Sequence, residues 1–256
     1  MTTDTGALDL AAERLDGAQH TVVAVGQLPA GLTPADAYAI QDGVIARRLA
    51  RGERQAGLKL GFTSKAKMAQ MGVSEVIVGR LTDAMRVPDG GAVDLARFIH
   101  PRVEPEVAYR IARDVVPDDD ELPVDAVAPA LEIIDSRYRD FRFSLPDVIA
   151  DNASSAGFVV GAWQPLGPDL GGREVRLTVD GAVAETGSTD AILGHPDRAL
   201  PELLRIARRQ GMPLRAGHVV LAGGATAAAP FPAARVEVHV EGLGTASVLG
   251  AASAKP

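Results

Sequence analysis

The stretch that decides the fold class reads EVRLTVDGAVAE, residues 174–185, and it predicts an antiparallel β-hairpin. Polar and apolar residues alternate on both sides of Asp180 and Gly181, a pair that suits the tight turn between two antiparallel strands. Two further strand-like segments follow at residues 218–221 and 235–240. The C-terminal third of the chain is therefore expected to be rich in β-structure.

Helical patterns precede and interrupt these strands. An amphipathic pattern runs over residues 7–18, and another over residues 196–210. Between them, a helix is expected to begin after Thr33, because Thr33 can cap it and Asp36 stands where the acid of a capping box belongs. Gly52 marks the end of that helix.

The order of the elements favours an α+β fold. Helices come first, strands dominate later, and no regular strand–helix–strand alternation occurs. A length of 256 residues fits one large domain or two small ones. We expect a single catalytic domain over residues 1–256, with a helical part at about 1–54 and a β-rich core at about 55–250.

The composition disfavours several functional classes. The absence of cysteine removes disulfides, thiolate metal sites and cysteine nucleophiles. The formal net charge of −7 argues against a nucleic-acid partner, which usually meets a basic surface. No apolar run reaches the roughly 18 residues of a membrane span, and the first residues lack a secretory signal. We therefore expect a cytoplasmic protein without a membrane or nucleic-acid partner.

Two acids, Glu104 and Glu106, are candidates for chemistry. They lie two residues apart in VEPEV, residues 103–107, so on a strand they point to the same face, roughly 7 Å apart. The alternative is an exposed face with two solvated acids. The apolar flanks favour burial instead, and buried acids are rarely unpaired.

A third acid, Glu132, lies inside the apolar run ALEII, residues 130–134. Three carboxylates without cysteine or a nearby histidine suit a hard divalent cation such as Mg²⁺ or Mn²⁺, which prefers oxygen ligands. Zinc would be expected to recruit histidine, and the five histidines show no paired ligand spacing.

Lys59 is the only charged residue in GLKLG, residues 57–61. Two interpretations remain open. Its ammonium either extends to solvent over an apolar surface, or it faces a polar cavity and supplies a positive charge to an anionic ligand.

Six motifs stand in an order that resembles one enzyme family. They are GLKLGFTS (57–64), KMAQMGV (67–73), EPE (104–106), LEIIDSRY (131–138), ADNASS (150–155) and GGATA (223–227). Together they resemble the 2-oxopent-4-enoate hydratase / 4-oxalocrotonate decarboxylase family of the fumarylacetoacetate hydrolase superfamily. The resemblance covers about residues 33–249.

This resemblance implies a mixed β-roll or barrel core with N-terminal and flanking helices. It also implies a homo-oligomer with one Mg²⁺ or Mn²⁺ per subunit. The metal ligands of the family fall on Glu104, Glu106 and Glu132, and Asp135 is the nearest rival to Glu132.

Four further positions follow from the same resemblance. The lysine of the family falls on Lys59, where it would act as a catalytic residue. Ser154 or Ser155, and Thr226, fall where the family lines the pocket for its 2-oxo acid substrate.

The family contains hydratases and decarboxylases, and the resemblance favours a decarboxylase here. Hydratases commonly carry an aspartate at the position of Ile77, where it would move protons as water adds to a double bond. Isoleucine cannot do so. The motifs at 67–72 and 134–143 also resemble the decarboxylase branch. The implied reaction converts a 2-oxohexenedioate of the 4-oxalocrotonate type to 2-hydroxypenta-2,4-dienoate and CO₂, in the meta-cleavage breakdown of aromatic compounds.

Three alternatives remain. A hydratase would add water to give 4-hydroxy-2-oxopentanoate. An acylpyruvate-type hydrolase would call for a histidine–glutamate pair near the N-terminus, where His20 stands in no such pattern. A non-catalytic partner of a related enzyme is the third alternative. Because decarboxylases of this family are associated with their hydratase, a complex with a related hydratase would be compatible with catalysis.

Overall fold

Two helices that pack against each other precede the strands. The computed structural model describes residues 4–64, 68, 75–167 and 169–252. Helix α1 spans Thr5–Thr21 and helix α2 spans Pro34–Ala50. The predicted capping box of α2 is confirmed, because the Thr33 side chain accepts from the Asp36 backbone N–H while the Asp36 carboxylate accepts from the Thr33 backbone N–H.

The remaining elements are mostly strands, as the sequence predicts for this part of the chain. Among the described residues, two further α-helices interrupt them, α3 at Leu145–Ala150 and α4 at Ala199–Arg209. The strands among the described residues are β1 Gln55–Gly61, β2 Ile77–Thr82, β3 Ala92–Asp94, β4 Arg102–Ile111, β5 Val124–Ile134, β6 Ser155–Val160, β7 Gln164–Pro165, β8 Glu174–Val179, β9 Ala182–Ser188, β10 Val219–Gly224, β11 Ala229–Pro230, β12 Arg235–Val240 and β13 Gly244–Ala251.

The strands form two mixed sheets. The larger sheet has eight strands, in the order β2-β1-β10-β4-β5-β6, with β11 beside β4 and β7 beside β5. The smaller sheet has five strands, in the order β3-β13-β12-β8-β9. Both the α+β class and the predicted hairpin are confirmed. The hairpin is β8–β9, and its turn residues Asp180 and Gly181 have φ values of 47° and 81°, as a turn of type I′ requires.

The two faces of the larger sheet contact different groups of residues, because side chains alternate between the faces along each strand. One face carries Leu58, Val107 and Leu131 into the main hydrophobic core, which also contains residues of α1, α2 and the smaller sheet. The opposite face carries a second, smaller apolar cluster that includes Ala130 and Phe158. The strand residues singled out from the sequence, Lys59, Glu104, Glu106 and Glu132, lie on this second face.

Irregular pairing bends the larger sheet. Register shifts interrupt the pairing of β1 with β2, of β10 with β4, of β4 with β5 and of β5 with β6. Such bulges bend a strand and increase its twist. We infer that the second face is concave, because Lys59 on β1 and Glu132 on β5 meet there although two strands separate β1 from β5. None of the helices in the described ranges combines the length and hydropathy needed to cross a bilayer.

Candidate metal centre

Three buried glutamates converge on the concave face of the larger sheet. Glu104 and Glu106 lie two residues apart on β4, and Glu132 on β5 is the direct cross-strand partner of Glu104. One carboxylate oxygen from each lies within 4.8 Å of the other two. Their exposed fractions are 5%, 0% and 0%. Strand alternation and cross-strand register therefore bring together the three acids that the sequence singled out.

This cluster is electrostatically unfavourable on its own. Burial raises the pKa of Glu106 well above its usual value, and the neighbouring Glu132 and Glu104 raise it further, against the opposing effect of Lys59. Burial also raises the pKa of Glu132, although Lys59 counteracts it. The Oε1 atoms of Glu106 and Glu132 accept no hydrogen bond from any described residue. Buried, unpaired carboxylate oxygens call for a cation.

Lys59 lies beside this cluster and is not a surface residue. Its side chain is 3% exposed, and its Nζ lies 2.9 Å from Oε2 of Glu132. Burial alone would lower the pKa of Lys59, but the charges of Glu132, Glu104 and Glu106 outweigh it, so the pKa lies above its usual value. The ammonium is therefore charged at neutral pH. Of the two interpretations of Lys59, the one that extends its ammonium to solvent is wrong, because the ammonium is buried against the carboxylate of Glu132.

A bulge in β10 holds Glu106 in place. Between the pairs of Leu221 with Ala108 and of Gly224 with Glu106, the register shifts. The released N–H of Gly223 donates to Oε2 of Glu106 at 2.7 Å. Gly223 has a φ of +121°, and a Cβ atom at this position would lie 2.1 Å from Oγ1 of Thr63. Glycine is therefore required here, a role that the sequence motif alone did not reveal.

The three candidate pocket hydroxyls lie in different surroundings. Ser155 lies close enough to Glu132 to lower the pKa of that carboxyl, and its buried Oγ makes no well-aligned hydrogen bond within the described chain. The Oγ of Ser154 instead faces the Asp151 carboxylate, at 3.5 Å. Thr226 is half-buried, and its Oγ1 donates to the carbonyl of Ala227. Of the three, Ser155 is the one whose hydroxyl lies beside the cluster.

Asp135, the rival to Glu132, has its oxygens engaged elsewhere. Its Oδ2 and Oδ1 accept from the backbone N–H groups of Ile99 and His100, at 2.9 and 2.8 Å. The group of carboxylates close enough to share an ion contains Glu132 and not Asp135, among the residues that the structure describes. The geometry therefore favours Glu132 as the third candidate ligand.

Ile77 lies on the same face of the sheet as Lys59. In the antiparallel pairing of β1 with β2, Lys59 is opposite Gly79, and Gly61 is opposite Ile77. Ile77 is 3% exposed and packs closely against Gly61. The position at which hydratases are expected to carry an acid is thus apolar and near the lysine. Of the motif at 67–72, only Met68 falls within the described residues.

Comparison with known proteins agrees with this architecture. Residues 50–248 match the family model of the fumarylacetoacetate (FAA) hydrolase C-terminal domain. The chain is 52% identical to the 4-oxalocrotonate decarboxylase of Pseudomonas sp, over 92% of this chain and 95% of that protein. It is 38% identical to a 2-keto-4-pentenoate hydratase of Paraburkholderia xenovorans (strain LB400), over 82% and 81% of the two chains.

A solved structure is also similar to this chain in fold and in sequence. The 4-oxalocrotonate decarboxylase from Pseudomonas putida G7, complexed with magnesium and adipate, superimposes with a TM-score of 0.92 and 37% sequence identity. The superposition covers 97% of this chain and 99% of that one. The expected fumarylacetoacetate-hydrolase-like fold is confirmed. The chain therefore belongs to the fumarylacetoacetate hydrolase superfamily, in the family that unites 4-oxalocrotonate decarboxylases with 2-keto-4-pentenoate hydratases.

Proposed function

We propose that this chain is a lyase, a metal-dependent decarboxylase of a 2-oxohexenedioate of the 4-oxalocrotonate type. Its products would be 2-hydroxypenta-2,4-dienoate and CO₂. The observation that carries the proposal is the convergence of Glu104, Glu106 and Glu132 beside Lys59, in a chain that is 52% identical to a 4-oxalocrotonate decarboxylase. We infer that the chain works as a single catalytic domain in aromatic catabolism.

Glu104, Glu106 and Glu132 would hold one divalent cation, Mg²⁺ or Mn²⁺. The donor set supports this, since it consists of carboxylate oxygens, and two of the buried oxygens lack a hydrogen-bond donor in the described chain. The three carboxylates and the Lys59 ammonium together leave two negative charges, which one divalent cation balances. When bound, the cation would act as a Lewis acid towards the 2-oxo acid end of the substrate.

Lys59 would stabilise the charge that develops as CO₂ leaves. The electron pair of the broken C–C bond moves through the conjugated chain towards the 2-oxo group, so negative charge accumulates at that end of the substrate. A buried, fixed ammonium acts strongly on such a charge because little water screens it. The ion pair with Glu132, at 2.9 Å, holds the ammonium of Lys59 in place.

The pocket would be completed by hydroxyl groups, for which Ser155 is the first candidate because its Oγ is buried and close to Glu132. Ser154 and Thr226 remain candidates that would have to exchange their present partners for the substrate. Loss of CO₂ needs no dedicated base to begin. The apolar side chain of Ile77, on the Lys59 face, is consistent with such a reaction.

The hydratase reaction is the alternative, since a 2-keto-4-pentenoate hydratase is 38% identical to this chain. It would require a group that transfers protons to and from the diene, and Ile77 supplies none. We further propose a cytoplasmic homo-oligomer that can associate with a related hydratase, on the basis of the family resemblance. Light scattering of the purified protein, alone and with such a hydratase, tests that assembly.

The reaction itself is tested by offering both substrates to the Mg²⁺-loaded protein. We expect 4-oxalocrotonate, the 2-oxohex-3-enedioate, to be consumed with release of CO₂. We expect 2-hydroxypenta-2,4-dienoate to accumulate and to be hydrated slowly or not at all. Rapid hydration of the dienoate without CO₂ release from the dicarboxylate would identify a hydratase instead.

A further inference from the structure

One buried cation, Arg137, has no part in the proposed chemistry. It follows β5, and its side chain is 3% exposed and forms an ion pair with the fully buried carboxylate of Asp151. The Nε of Arg137 donates to Oδ1 of Asp151, and the backbone N–H of Arg137 donates to Oδ2 at 3.1 Å. A guanidinium buried this deeply, with its partner, fixes the segments on either side of it.

The rest of the guanidinium binds backbone carbonyls. Nη1 donates to the carbonyl of Asp135 at 2.7 Å and to that of Ser155 at 3.2 Å, while Nη2 donates to the carbonyl of Asp151. These bonds join the residues after β5 to the first residue of β6. Lysine cannot replace this arrangement, because an ammonium lacks the planar fork that serves several acceptors at fixed angles.

The segment held by Arg137 has an unusual backbone. Asn152, Ala153 and Ser154 have φ values of 51°, 52° and 57°, so three consecutive residues other than glycine adopt the left-handed conformation. Each carries a conformational cost that the surrounding structure must offset. We call residues 152–154 the left-handed turn.

The left-handed turn contacts both sides of the candidate metal centre. The Asn152 side chain accepts from the backbone N–H of Arg80 at 2.7 Å and donates to its carbonyl at 2.8 Å. A Cβ atom at Gly79, the cross-strand partner of Lys59, would lie 2.7 Å from the carbonyl oxygen of Asn152. The turn therefore packs on the strand that flanks Lys59.

On its other side, the turn leads directly into Ser155, the first residue of β6, which pairs with β5, the strand that carries Glu132. We propose that Arg137 is a positioning residue. Without touching metal or substrate, it holds the left-handed turn and so sets the relative placement of Lys59, Glu132 and Ser155. This inference rests on the proposed function, since it assigns a role towards the metal and the substrate.

The test is to replace Arg137 by lysine and measure Mn²⁺ affinity by electron paramagnetic resonance, together with kcat and KM for 4-oxalocrotonate. We expect the Kd for Mn²⁺ to rise between tenfold and a hundredfold, the range typical of residues that orient metal ligands. We expect kcat to fall by a similar factor and KM to change less. The reason is that the turn affects the positions of the reacting groups more than it affects substrate binding.

Arg48 provides a matched control. It is 8% exposed, pairs with Glu53 at 2.9 Å, and donates to Gln19 and Thr82, so it shares none of the bonding partners of Arg137. Arg48→Lys disturbs a comparable buried ion pair, so it is expected to lower the melting temperature while leaving the Kd for Mn²⁺ and kcat within about twofold of the wild type. An equal loss of metal affinity in the two variants would show that Arg137 acts only through general stability.

A second variant tests whether Arg137 acts through the left-handed turn. Ala153→Gly removes the cost of the left-handed conformation at the centre of the turn. Added to Arg137→Lys, it should restore most of the lost Mn²⁺ affinity and kcat. If Arg137→Lys does not fold, Asp151→Asn weakens the same clamp and is expected to raise the Kd in the same way.

The results that overturn the inference are distinct from those that overturn the function. Wild-type affinity and kcat in folded Arg137→Lys, or no recovery on adding Ala153→Gly, would contradict the positioning role. A wild-type protein that binds no Mn²⁺ would instead refute the proposed function, and the inference with it.

Discussion

The Nζ of Lys59 lies 2.9 Å from Oε2 of Glu132, although two strands, β10 and β4, separate the strands that carry these residues. In a flat sheet the backbones of β1 and β5 would be about 14 Å apart, at roughly 4.8 Å per strand. The two side chains meet because the bulged sheet curves around its polar face. The site is therefore a product of sheet curvature as much as of residue choice.

Replacement of Lys59 by methionine separates its catalytic role from metal binding. Methionine has a similar shape without the charge, so we expect kcat to fall by about 100-fold or more. Mn²⁺ affinity should stay the same or increase, because a positive charge has been removed from beside the carboxylates. Steady-state kinetics and Mn²⁺ titration measure both effects. A kcat within about threefold of the wild type would contradict the assignment of Lys59.

Replacement of Glu106 by glutamine tests the metal site. EDTA-stripped wild-type protein should gain thermal stability on addition of Mg²⁺, because the ion binds the folded state and not the unfolded one. Glu106→Gln should show no such gain and no metal-dependent turnover. The exposed Glu202, whose partner is Arg205 on α4, offers a control, and Glu202→Gln should behave as the wild type. A full Mg²⁺ response in Glu106→Gln would remove Glu106 from the site.

Replacement of Ile77 by aspartate tests the distinction between the two branches of the family. The new carboxylate would lie on the Lys59 face, where it can exchange protons with a bound diene. We expect hydration of 2-hydroxypenta-2,4-dienoate to rise above the wild-type rate, while CO₂ release falls. Ile77→Asn, which has nearly the same shape but no acid, is the control and should not gain hydration. Equal hydration in the two variants would mean that position 77 does not move protons.

Replacement of Gly223 by alanine tests the bulge that holds Glu106. The added Cβ would clash with Thr63, and the alanine would have to adopt the positive φ that glycine has here. We therefore expect a loss of about 3 kcal/mol or more in the free energy of unfolding. Gly90 has a φ of +73° and open space around it, so Gly90→Ala should cost only about 1 kcal/mol. Urea denaturation of both variants measures the difference. Similar losses would mean that Thr63 moves aside easily.

Much of the local structure could be predicted from the sequence because its causes are local. Thr33 and Asp36 specify a helix start within four residues. Asp180 and Gly181 specify the hairpin turn by their tolerance of positive φ. In contrast, the parallel pairing of β1 with β10 joins Lys59 to Leu221 across more than half of the chain. No local pattern encodes such a pairing.

Some features of the candidate site could also be predicted from the sequence, and others could not. Glu104, Glu106 and Glu132 could be identified because a charge inside an apolar strand is conspicuous in any sequence. Their convergence depends on the register of β4 with β5. The roles of Gly223 and Arg137 depend on a bulge and on a left-handed turn, which arise from tertiary contacts. A motif can mark such residues, but it does not reveal what they bind.

The most direct measurement of the central claim is the amount of CO₂ released per molecule of 4-oxalocrotonate consumed, with and without Mg²⁺. If the three glutamates and Lys59 form a metal-dependent decarboxylase site, Mg²⁺-loaded protein will release one CO₂ per substrate. EDTA-stripped protein will release none above the uncatalysed rate, and Mg²⁺ will restore the activity. Undiminished CO₂ release by the stripped protein, or consumption of the substrate without CO₂, would contradict the claim.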